Sequence, residues 1–174
     1  MSKTQPVIVN LVGLFIDHEN IEISLQDLYQ SEVVSYDIQK IIETVKTIGN
    51  LAVAKTYIHR ASREKLYKYF EYGIESVYTP RYLMEEASRS LADPMMICDI
   101  METIFQKPDV NTYVILTNDK DFIPVIRKLA SYGKKVILMC VEGASLSPYI
   151  VHECDMHDFV VREVPMFDAR EKQK

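Results

Sequence analysis

Thr112-Tyr113-Val114-Ile115-Leu116-Thr117-Asn118-Asp119-Lys120-Asp121 decides how this chain folds. Its first half is an unbroken run of β-branched, aromatic and aliphatic residues, the mark of a strand buried on both faces. Its second half is an acidic loop that follows without a spacer. Beyond the loop, Phe122, Val125, Ile126 and Leu129 recur at helical spacing and stop at Gly133, and Lys135 to Val141 is a second buried run. Asp121 is placed to cap that helix. A strand, a helix and a strand in this order leave both strands pointing the same way.

The same alternation extends in both directions. Val7 to Ile16 reads as a central buried strand that ends against Asp17, and Ile38, Ile41, Ile42, Val45 and Ile48 mark a helix closed by Gly49 and Asn50. Leu51 to Ile58 is a strand. Ser62, Lys65, Leu66, Tyr69 and Phe70 make a second helix stopped by Gly73, and Ile74 to Tyr78 a strand that ends before Pro80. Asp93 and Pro94 open a helix to about Phe105, the acid as N-cap and the proline in the first turn. Ser145 or Ser147 opens another helix, and Phe159 to Val161 is a short last strand. The expected architecture is α/β, a three-layer Rossmann-like domain over residues 7–165 with a mainly parallel central sheet of five or six strands flanked by helices. Residues 1–6 and 166–174 are expected to be flexible ends.

Composition narrows the function. The chain has 174 residues, 48% of them apolar, enough for one sizeable core. Net charge of −5 argues against a general polyanion binder, so any phosphate-binding surface has to be local. Cys98, Cys140 and Cys154 form no CxxC pair, which leaves neither a disulfide frame nor a thiolate zinc site. The N-terminal apolar run is too short to span a bilayer and lacks a basic start, so a cytoplasmic protein with no membrane association is expected.

In an open parallel sheet, ligands collect beyond the carboxyl ends of the strands. Asp17 falls there, as do Asp119 and Asp121, and the helix opened by Asp93 can deliver a fourth carboxylate. Each acid also has an ordinary explanation as a turn or cap residue. Together they would oppose one another's ionisation unless a cation neutralises them. Oxygen donors without cysteine or paired histidines favour Mg²⁺ or Mn²⁺, whose chemistry on phosphate esters is phosphodiester hydrolysis. Asn20, three residues past Asp17, can reach the same edge and orient a phosphate or a water. Asp99 is expected to be solvated, and Glu19 to face water or act from the outer shell.

The segment Leu14-Phe15-Ile16-Asp17-His18-Glu19-Asn20 resembles the opening strand motif of NYN domains, which have the PIN-like nuclease fold. Leu116-Thr117-Asn118-Asp119-Lys120-Asp121-Phe122 is similar to that family's small-residue, Asp-x-Asp-Phe loop, and Gly133-Lys134-Lys135-Val136 continues the match, which covers about Val7 to Val161. The resemblance implies a metal-dependent ribonuclease with Asp17, Asn20, Asp93, Asp119 and Asp121 on the catalytic positions, Asp17, Asp93, Asp119 and Asp121 holding Mg²⁺ or Mn²⁺, and RNA as partner. Thr117-Asn118 stands where the family more often has Ser-Gly, and Arg89 stands one place from a common lysine. A catalytically degenerate NYN domain that binds RNA or a protein is therefore the alternative. A haloacid dehalogenase-type phosphatase would carry a second Asp where this chain has Glu19. Asn118, Lys120, Arg60 and Arg63 are the candidate RNA contacts, Arg81 and the tyrosines 67, 72, 78 and 82 further ones, with Tyr69 in the core. Two protomers could pair as a homodimer to enlarge the RNA groove.

Overall fold

The computed structural model describes residues 9–31, 35–84, 87–141, 148–149, 160–164 and 166–167, with 82–84, 87–89, 160–164 and 166–167 by backbone alone. In chain order the elements are β1 (Leu11–Asp17), α1 (His18–Tyr29), β2 (Ser35–Tyr36), α2 (Ile38–Ile48), β3 (Asn50–Ile58), α3 (Arg63–Glu71), β4 (Glu75–Tyr78), β5 (Arg81–Met84), β6 (Ala87–Ser90), α4 (Ala92–Gln106), β7 (Val110–Leu116), a 3₁₀ turn (Lys120–Phe122), α5 (Ile123–Ser131), β8 (Lys135–Val141), β9 (Val160–Val164) and β10 (Met166–Phe167).

Six strands pair in the order β4-β3-β1-β7-β8-β9, and every neighbouring pair is parallel. Period-two alternation sends successive side chains to opposite faces. Val12, Leu14 and Ile16 join α1, α2 and α3 in one core, while Phe15 joins α4 and α5 in the other, giving three layers. Chain order departs from β1 toward β3 and β4 on one side and resumes with β7, β8 and β9 on the other. A crevice opens where neighbouring strands part in this way, beyond the carboxyl ends of β1 and β7. Leu14, Phe15 and Ile16 are wholly buried. Each contributes about 2 kcal/mol of burial, which anchors whatever the strand carries at its end.

Several boundaries differ from the sequence reading. The first strand starts at Leu11, and the expected start at Val7 lies outside the described residues; Asn10, just before the strand, still accepts from the Asn50 N–H of β3 at 2.8 Å and adds side-chain bonds. Its Nδ2 donates to the Ile48 carbonyl at 2.6 Å and its Oδ1 accepts from Thr112 Oγ1 at 2.8 Å. Gly49 passes so close to it that a Cβ there would lie 2.3 Å from the Asn10 carbonyl oxygen. Helix α4 starts at Ala92, with Ser90 Oγ accepting from the Ala92 N–H at 3.1 Å, so Asp93 is a first-turn residue and not the N-cap. The β5–β6 hairpin was not expected, since residues 81–90 carry neither a clean alternation nor a β-branched run. Phe70 and Leu66 share the helical spacing of buried Tyr69 yet are 78% and 39% exposed, because a helix packs only one stripe on the sheet. The antiparallel β10–β2 pair carries described structure past residue 165. The helix expected from Ser145 or Ser147 opens outside the described residues, as do residues 1–6. Among the described residues no helix is long and apolar enough to cross a membrane.

Candidate active site

Asp17 is both the last residue of β1 and the N-cap of α1. Its Oδ1 accepts from the Asn20 N–H at 3.4 Å, while Oδ2 accepts from Thr117 Oγ1 at 3.1 Å. Thr117 is the first residue past β7, and the same oxygen accepts from the Asp119 N–H at 3.1 Å. One buried hydroxyl therefore joins the ends of two adjacent strands and fixes Asp17 beside the acidic loop. Asn20 closes the arrangement: its Oδ1 accepts from the Asn118 N–H at 2.8 Å. Asn118, expected to touch substrate, instead turns its side chain inward, its Oδ1 accepting from the Val141 N–H at 3.2 Å. Its Nδ2 is enclosed with no hydrogen-bond partner among the described residues.

Asp119, not Asp121, is the capping residue of this loop, its Oδ1 accepting from the Asp121 N–H at 2.9 Å at the start of the 3₁₀ turn. Helix α5 follows with Phe122 as its N-cap and no side-chain cap, so the exposed Asp121 carboxylate is not held by one. Asp93, half-buried in the first turn of α4, lies at the helix end where the macrodipole favours negative charge.

The carboxylates feel one another. Asp17 is 2% exposed, and burial first, then the Asp93 charge, push its carboxyl from the ordinary 3.8 up to about 7. The bonds from Asn20 and Thr117 pull the other way, and Asp119 adds to the rise. Asp93 is likewise raised, by burial and then by Asp119, Asp121 and Glu19. The acids from β1, α4 and the β7 loop thus converge on one edge.

A sequence model of the NYN domain matches residues 11–161, most of the chain. The chain belongs to the NYN domain family. That family is typically one of nucleases that use divalent metals, and its domain is a nuclease-like fold. An uncharacterized protein of Methanocaldococcus jannaschii is 31% identical over 106 residues, 61% of this chain, and the chain spans 40% of that relative's length. A crystal structure of a protein of unknown function from Vibrio parahaemolyticus shares the fold, with a TM-score of 0.71 and 19% identity over 91% of this chain and 96% of the other.

Whether this NYN domain suits a divalent ion is a question of its donors. Among the described residues no three His, Cys, Asp or Glu side chains form a ready cage. A cage is not what Mg²⁺ requires, since it keeps several waters and takes one or two carboxylates. Oxygen-only donors, among them a carboxyl raised to about 7 by burial first and then by the Asp93 and Asp119 charges, fit a hydrated hard cation, which would relieve the repulsive part of that rise.

Other residues of the NYN domain sit differently from expectation. Glu19 accepts from the His59 N–H at 3.1 Å and from Arg81 Nη2 at 2.7 Å, so both its oxygens are engaged and it does not stand as the second acid of a phosphatase. Arg81 is thereby paired. Asp99 is not simply solvated: it accepts from Lys55 Nζ at 2.9 Å and from the Tyr57 hydroxyl at 2.8 Å. Arg60, Arg63 and Lys120 are exposed. The Thr117 hydroxyl was missed, although a threonine two residues before an N–H it can accept is a recognisable turn signal. Also missed was a buried polar knot in which His18 Nδ1 contacts the hydroxyls of Tyr36 at 2.8 Å and Tyr69 at 3.0 Å. Burial holds His18 down at about 4, so it is neutral beside Asp17 at neutral pH.

Proposed function

We propose that this NYN domain is a divalent-metal-dependent ribonuclease that hydrolyses RNA phosphodiester bonds at the edge where β1 and β7 part. One observation carries the reading: the Thr117 hydroxyl bonds Asp17 and the Asp119 N–H together, within reach of the Asp93 charge. Asp17, Asp93, Asp119 and Asp121 would hold Mg²⁺ or Mn²⁺. A bound ion supplies neutralisation of phosphoryl charge and a more acidic water. Asp17 is the innermost donor, rigid because both its oxygens are hydrogen-bonded. Asn20 works by position, keeping the β7 loop against the start of α1 so that Asp119 stays at the edge. The outer acid, Asp121, is exposed, on the side from which a hydrated ion would enter. A labelled RNA incubated with purified protein tests this in Mn²⁺ and in EDTA. Cleavage should need Mn²⁺ and fall at least a hundredfold in Asp119→Asn, about the loss of one charge-stabilising group. Equal cleavage by wild type and Asp17→Asn would assign the activity to a contaminant.

A second reading has two observations in its favour. The amide oxygens of Asn20 and Asn118 both serve the fold, and no three acids among the described residues make a ready cage. A catalytically inert NYN domain that binds RNA or a protein would show binding without turnover. Cleavage that disappears in a folded Asp119→Asn protein removes it.

A further inference from the structure

The geometry points to a single-strand track leading from the acids along the ends of β3 and β4, with Arg60 on the backbone phosphates and the Tyr78–His59 ring pair as a shelf for an unpaired base. This inference rests on the nuclease reading and adds to it the path and the strandedness of the substrate.

Two clefts make the path. The first, about 430 Å³, is lined by Glu19, His59, Arg60 and Arg81. It begins beside the acids, since Glu19 is near enough to Asp93 to act on its ionisation. The second, about 720 Å³, is lined by His59, Arg60, Leu66 and Tyr78, and shares His59, Arg60 and Glu22 with the first, Glu22 being neutralised by its ion pair with Lys65. The two therefore adjoin at these residues. Net charge is negative, yet Arg60 is exposed and has no ion-pair partner among the described residues. It stands where both clefts meet, so the positive side chain that the sheet edge presents there suits a phosphodiester chain.

The far end is aromatic. Tyr78 is 65% exposed and stacks on His59 with centroids 6.0 Å apart and planes 29° from parallel. His59 cannot swing away easily, because its Nδ1 donates to the Thr79 carbonyl at 3.1 Å and its N–H to Glu19. An exposed ring held flat by a fixed neighbour has a π-face for a base, and base–aromatic stacking tolerates every base. Bases inside a duplex are already stacked and cannot use it. The side chains of Tyr67 and Phe70 on α3 are exposed as well, extending the apolar surface beyond Leu66.

The test uses wild type, Tyr78→Ala, Tyr78→Phe and Arg60→Gln, with a single-stranded RNA of about ten nucleotides, the same RNA with abasic positions, and its duplex. Affinity is read by fluorescence anisotropy in EDTA, and KM and kcat in Mn²⁺. Tyr78→Ala should weaken binding and raise KM about tenfold with kcat little changed, and Tyr78→Phe should restore both. The abasic RNA should lose affinity for wild type but not for Tyr78→Ala, and Arg60→Gln should lower the salt slope of binding by about 0.7. Cleavage with affinity and KM unmoved in Tyr78→Ala, or tighter binding of duplex, overturns the track and leaves the nuclease reading standing. Tyr78-dependent binding without cleavage in Mn²⁺ keeps the track and removes the nuclease. Wild type that neither binds nor cuts RNA removes both, a protein-binding surface included among the ways that result arises.

Discussion

Asp17→Asn should make the metal-free protein more stable in mild alkali and not in mild acid. Folded Asp17 titrates at about 7 against an ordinary 3.8, chiefly from burial. A carboxyl raised on folding stabilises the fold while protonated, and that contribution is lost as pH rises toward 7. The interval between 3.8 and about 7, at about 1.4 kcal/mol per pH unit, sets a ceiling of about 4 kcal/mol on the destabilisation at pH 8. Near pH 4.5 the same relation leaves about 1 kcal/mol. An amide has one oxygen where the carboxylate has two, so either the Asn20 N–H or the Thr117 hydroxyl loses its acceptor, costing about 1 kcal/mol. The net expectation is near-equal stability of variant and wild type at pH 4.5, and a variant more stable by at most about 3 kcal/mol at pH 8. Urea denaturation of both proteins in EDTA between those pH values measures it. A difference that stays flat across the range would mean Asp17 ionises like an exposed acid, against both its burial and the neighbouring charges.

Mn²⁺ should raise the melting temperature of wild type more at pH 8 than at pH 5.5, where protons compete for Asp17, and should raise that of Asp119→Asn much less; differential scanning fluorimetry reads both. Thr117→Val, which keeps shape and removes the shared hydroxyl, should cost about 1–3 kcal/mol at pH 8 in the same urea assay and less at pH 5, where Asp17 carries its proton. Asp99→Ala should cost about 1–3 kcal/mol by leaving the Tyr57 hydroxyl without its acceptor, while RNA cleavage persists because α4 carries Asp99 away from the acids. Gly49→Ala should destabilise by about 1–3 kcal/mol, since the added carbon meets backbone at Asn10 and not a side chain that can turn aside.

Strands β3, β7 and β8 and helices α2 and α5 were legible because periodicity is a local property, written in runs such as residues 112–116 and in the spacing of Ile38, Ile41, Ile42 and Val45. Stops at Gly73 and Gly133 were legible too, both having φ of 71°. Caps were read less well. Asp93 and Asp121 are both good cap residues by type, and the sequence does not show that Ser90 and Asp119 reach the orphan N–H groups first. The exposure of Phe70 was hidden for a similar reason, since spacing names a stripe without saying how wide the sheet beneath it is.

From its sequence alone this chain determines that buried strands alternate with helices, and that acids follow two of those strands. Strand order, and with it the meeting of Asp17 with the Thr117 hydroxyl a hundred residues away, was decided only by the tertiary structure. The reason is physical. Propensity and periodicity act over a few residues. The raised proton affinity of Asp17 comes from burial and from charges on α4 and the β7 loop, which exist around it only once β1 has paired with β7 and α4 has packed across them.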